Sequence, residues 1–141
     1  MLTLPTSRGE VTLASSSPND VPSMDPNYFS TCVDKAALIH GVQRLLQCLS
    51  QTTSGQDFIE TEEEIEERIQ STGTPHLHVA GSCAMGVVVD ADLRVNGVRG
   101  LRIVDASVFP VPLGGHPQAT LYGIAERAAA MITGEKDEFE R

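Results

Sequence analysis

The spacing of apolar positions changes several times along the chain, and each change marks an element. Between Gly9 and Ala14, Val11 and Leu13 alternate with polar neighbours, which predicts a half-buried strand. Residues 15–28 are dominated by Ser, Asp, Asn and three prolines, so they are read as an ordered surface loop. Beyond Thr31 the period lengthens: Val33, Leu38, Val42, Leu45, Leu46 and Leu49 recur every three to four residues, the face of a helix over about 32–49. Thr31 with Asp34, and Thr61 with Glu64, have the spacing of capping boxes. The second opens a helix with a narrow Ile65 and Ile69 stripe. Gly86–Asp90, Leu93–Val95 and Leu101–Val104 read as three short strands. A loop with prolines and glycines covers Ser107–Gln118. The last element is a helix from Thr120 to Thr133 with a wide stripe of Leu121, Ile124, Ala125, Ala128, Met131 and Ile132, stopped by Gly134. No internal repeat is evident.

Composition leaves this picture intact and removes several functions. At 141 residues, 40% apolar and 21% charged, the chain can bury a core without disulfides. Its net charge of −9 is concentrated in the glutamates between Glu60 and Glu67 and in the tail Glu135–Arg141. The glutamate run is a solvated helix face whose first turn suits the helix dipole. No basic stripe exists to follow a nucleic acid, and no basic amphipathic face to bind an anionic membrane. Cys32, Cys48 and Cys83 are odd in number and far apart, so no disulfide framework is indicated. Met1–Glu10 has no apolar run, so it is not expected to be a secretory signal, and no stretch approaches roughly 18 apolar residues; localisation is left unknown.

Candidate chemistry lies with the histidines. His40 falls opposite Val42 and Leu45 on its helix and should face solvent. His76 and His78 precede Val79-Ala80-Gly81-Ser82-Cys83-Ala84-Met85-Gly86, where small residues would let backbone approach a ligand. His116 stands immediately before the last helix, whose N-terminus offers free N–H groups to an electron-rich ligand edge. His78 and His116 are therefore a candidate acid–base pair. His76, His78, Cys83 and His116 could ligate zinc, but their spacing matches no common site and no metal is expected. Gly81-Ser82-Cys83 lacks the nucleophile-elbow pattern, and no phosphate-binding glycine loop occurs.

Taken together, these segments resemble the C-terminal portion of the glucose–methanol–choline (GMC) oxidoreductases, flavin-dependent alcohol oxidases and dehydrogenases. The opening of that portion is matched by Ser7–Ser15 and Asp25-Pro26-Asn27-Tyr28. His78–Gly86 is similar to its H-x-x-G-[ST]-x-x-M-G motif. The series Val88–Asp90, Leu93–Val95 and Gly100–Ser107 resembles its second signature, while Gly115–Thr120 with Ala125–Ala129 resembles its closing one.

The resemblance implies oxidation of an alcohol to an aldehyde or ketone, with hydride passing to N5 of FAD. It implies His78 as the base that takes the hydroxyl proton, and His116 as the group that hydrogen-bonds the substrate oxygen. Leu77, His78, Asp105, Ala106, Pro117 and Gln118 match segments that contact the flavin cofactor, and no metal is implied. The implied fold is α+β. Residues 1–97 would belong to a substrate domain built on an antiparallel sheet with packed helices, and 98–141 would supply a strand and helix that complete a Rossmann-like FAD-binding domain. The chain holds no G-x-G-x-x-G fingerprint for the nucleotide and starts inside a substrate-domain strand. A fragment is therefore expected, inactive alone, whose partners are a small-molecule alcohol and a missing N-terminal FAD-binding half. The alternative is a non-catalytic remnant or interaction module.

Overall fold

The computed structural model describes residues 2–52 and 60–134; the acidic tail read from the sequence lies outside them. The chain divides into two compact units, residues 1–75 and 76–141.

In the first unit, β1 (Glu10–Thr12) forms where the alternation predicts a strand. It pairs antiparallel with β2 (Ser23–Asp25), placing Val11 opposite Met24. β2 falls within the stretch read as loop. Three residues between Pro22 and Pro26 are too few to show a period, and only the pairing defines them. Nor is the ribbon half-buried, since Val11 is 56% and Met24 67% exposed. Gly9 is required by close approach: a Cβ there would lie 2.2 Å from the Asp25 carbonyl oxygen. Asn27 secures the same crossing by donating from Nδ2 to the Arg8 carbonyl at 2.9 Å.

α1 (Cys32–Leu49) has the expected bounds, with Thr31 as N-cap accepting from the Asp34 N–H. The reciprocal half of the box is absent. The Asp34 carboxylate is 2% exposed and turns instead to the N-terminal segment, accepting from the Thr6 N–H at 2.7 Å, the Thr6 hydroxyl at 2.8 Å and the Ser7 N–H at 2.8 Å. Burial by itself would raise this carboxyl's pKa. Hydrogen bonds from the Ser7 side chain, the Thr6 and Ser7 N–H groups and the Thr6 hydroxyl outweigh it and hold the group well below the usual carboxylate range.

α2 (Glu62–Thr72) carries the complete capping box, with Thr61 accepting from the Glu64 N–H and Glu64 from the Thr61 N–H. It packs on α1 through buried Ile65 and Ile39, with Lys35 and Glu66 paired at 3.1 Å beside the seam. Much of the apolar stripe assigned to α1 lies outside this contact: Val33, Leu45 and Leu49 are exposed, and Ile39 is the apolar α1 side chain most deeply covered.

The second unit replaces the three expected strands by tight turns. Asp90 organises one of them, its Oδ1 accepting from the N–H groups of Asp92 and Arg94 at 2.9 and 2.8 Å while Leu93 takes a left-handed φ of 62°. Residues 93–95 and 101–103 meet only around one bridge, Arg94 to Arg102, flanked by Val95 N–H to Leu101 O and Ile103 N–H to Leu93 O. The apolar run at Leu101–Val104 thus forms no strand, because this unit gives it one short partner rather than a sheet. Leu101 remains 48% exposed.

A 3₁₀ turn at Ala106–Val108 precedes α3 (Gln118–Thr133). Gly134 ends α3 in the left-handed conformation its sequence position predicts. The core gathers Val89, Leu93, Val108 and Ala128, with Met85, Ile103, Ile124 and Met131 around them. One face of α3 therefore serves the core while Ile132 stays exposed. Among the described residues, no helix is long and apolar enough to cross a membrane.

Candidate active site

The segment that bears His78 is held by backbone. The N–H groups of Gly81, Cys83 and Met85 donate in turn to the carbonyls of Ala106, Ser107 and Val108. Gly81 and Gly86 have φ of +94° and +85°, and a Cβ on Gly81 would stand 3.3 Å from the Phe109 carbonyl oxygen. Both glycines are thus required by backbone conformation, and Gly81 also by its approach to the Phe109 carbonyl. Leu77, 87% exposed, takes a left-handed φ of 55° that is unfavourable for its side chain. The resulting bend sets the rings of His76 and His78 edge to face, 5.1 Å between centroids.

His116 comes from the other side of the unit, on the glycine loop before α3. Its Nδ1 lies 2.7 Å from Nε2 of His78, with the rings nearly perpendicular. The sequence brings these two together from 38 positions apart. At that distance one ring nitrogen carries a proton and donates it, and the other accepts. All three rings are exposed, so the pair is open to an incoming molecule. Sequence reasoning left His76 without a role, yet its ring centroid is 5.5 Å from that of His116. The H-x-H spacing was the available signal; the bend at Leu77 that makes it effective was not legible. Cys83 is half-buried and stands outside this group.

The remaining expected site residues have definite local places. Asp105 caps the 3₁₀ turn, its Oδ1 accepting from the Ser107 N–H at 2.7 Å. Ala106 offers its carbonyl to Gly81 and Phe109. Pro117 is the N-cap of α3 and makes no side-chain cap, and Gln118 is the first helical residue. The first N–H groups of α3 consequently lack the side-chain acceptor that closes α1 and α2.

Comparison with known proteins identifies the family. The GMC oxidoreductase family model matches residues 5–125. A dehydrogenase from Emericella nidulans is 39% identical over 145 residues, covering 93% of this chain and 24% of its own length. The solved structure of pyridoxine 4-oxidase from Mesorbium loti superposes with a TM-score of 0.81 at 27% identity, over 96% of this chain and 29% of that one. An FAD-dependent oxidoreductase from Chaetomium thermophilum does so with a TM-score of 0.80 at 29% identity, over 94% and 26%. The chain thus spans about a quarter of the length of the curated relatives it matches. With the family model covering most of its residues and the motif histidines brought together, the chain belongs to the GMC oxidoreductases.

Proposed function

We propose that this chain is the C-terminal portion of an FAD-dependent oxidoreductase acting on CH–OH groups, with His78 and His116 as its acid–base pair. The observation that carries the reading is the 2.7 Å contact between His78 Nε2 and His116 Nδ1 on an open surface. An alcohol hydroxyl needs one acceptor for its proton and one donor to its oxygen, and the pair presents one of each. Admitting the oxygen requires the rings to part, after which His78 Nε2 takes the hydroxyl proton and His116 donates to the oxygen as it gains negative charge. Once the carbonyl product has left, His78 releases the proton it gained to solvent, and the two rings close again on the single proton they share.

The residues also fit a flavin. The uncapped N–H groups at the start of α3 suit an electron-rich ring edge, and Leu77, Asp105, Ala106, Pro117 and Gln118 would lie along the cofactor. When bound, FAD supplies the hydride acceptor. In this reading residues 1–97 belong to a substrate domain, whereas 98–141 complete an FAD-binding domain whose nucleotide fingerprint lies in a separate N-terminal half. The exposure of Leu101, Val104 and Ile132 is what a strand and helix removed from their sheet would show.

The test is turnover of an alcohol by the full-length, flavin-loaded protein. His78→Ala is expected to lower the rate of flavin reduction by about two orders of magnitude or more. Flavin reduction at the unaltered rate would refute the assignment.

A further inference from the structure

His76 has no part in the proton-transfer reading, yet it stands against both histidines that do. The ring nitrogens of His76, His78 and His116 offer one ligand atom each, all within 4.8 Å of one another. Among the described residues this is the one group of three or more His, Cys, Asp or Glu side chains so placed.

We propose that these three histidines form a binding site for a divalent transition cation of the zinc class. Neutral imidazoles suit zinc, cobalt, nickel and copper, and three protein ligands with a fourth position left to solvent is a recurrent arrangement. Tetrahedral bonds of 2.0–2.1 Å place ligand nitrogens roughly 3.3 Å apart. The His78–His116 pair, now at 2.7 Å, must open by roughly 0.6 Å, and His76 must swing inward. Both are ring movements that exposed side chains make without disturbing the core. The backbone is already committed, since the bend at Leu77 turns His76 toward its neighbours and the stitched segment 81–85 anchors His78. Two of its ligands are the pair assigned above to proton transfer, so a cation and an alcohol would compete for the same nitrogens, but the binding itself needs neither cofactor nor substrate.

Cobalt(II) titration of this chain, followed by visible absorbance, tests the site. One cation per chain is expected, with the d–d bands of nitrogen ligation and no thiolate-to-cobalt charge-transfer band. His76→Ala should weaken binding at least about tenfold, as should His76→Asn, whereas His40→Ala should leave it unchanged; circular dichroism reports that each variant is folded. No binding at micromolar cobalt, a thiolate band, or an affinity that survives both His76 variants would overturn the proposal. Any of those results leaves the turnover test of His78 standing, and failure of that test leaves this one standing.

Discussion

Replacing Asp34 with alanine probes how the N-terminal segment is fastened to α1. The carboxylate accepts three hydrogen bonds from Thr6 and Ser7 at 2.7 to 2.8 Å while itself 2% exposed. Thr6 is exposed, so its N–H and hydroxyl can turn to water in the variant and little is lost there. Ser7 is buried, and its N–H would be left without a partner at a cost of about 1–3 kcal/mol, more when the lost acceptor is charged. A loss near 3 kcal/mol is expected. With urea m-values of about 1–3 kcal/mol/M, that moves the midpoint down by roughly 1–3 M.

The difference between wild type and variant must also depend on pH. The folded carboxyl is held below its unfolded value of about 3.9, so the unfolded chain takes up the proton first. Its stabilisation is complete well above that value and declines as pH falls toward the folded one. Urea unfolding followed by far-UV circular dichroism at pH values from about 7 to about 3 measures both effects. An unchanged midpoint at neutral pH, or a gap that stays constant over that interval, would refute the reasoning.

Two further substitutions test the packing. Gly81→Ala places a side chain at φ +94° against the Phe109 carbonyl and should cost about 2 kcal/mol, read as a lower thermal midpoint of the second unit. Ile65→Ala empties a position that is 1% exposed in the α1–α2 seam, and a loss of about 3 kcal/mol in chemical unfolding is expected; a loss under 1 would show the seam collapsing into the space.

What could be read from the sequence was whatever local chemistry alone decides. Thr61 and Glu64 cap one another within four residues, and α1 and α3 show their period over several turns, so those elements were legible. β2 was not, because its identity rests on pairing with β1 across a turn. Leu101–Val104 has the composition of a buried strand, but composition cannot supply the neighbouring strands that the run lacks here. Asp34 imitates a capping residue by spacing, and a distant segment claims its side chain. At the site, His78 and His116 stood out by their motifs. The bend at Leu77 that recruits His76 left no trace in residue type, since leucine is an unfavourable choice for that conformation.

The anchoring of residues 81–85 to the carbonyls of 106–108 bears on how such a site can evolve. Backbone groups alone make these three bonds, so the side chains of Ser82, Ala84 and Ser107 can be exchanged without removing a donor or an acceptor. Mutational drift can then reshape the surroundings of His78, and with them the choice of molecule admitted, while its attachment point stays put. An insertion or deletion between Gly81 and Met85 has no such freedom, because it would put the donors on its two sides out of register with one another.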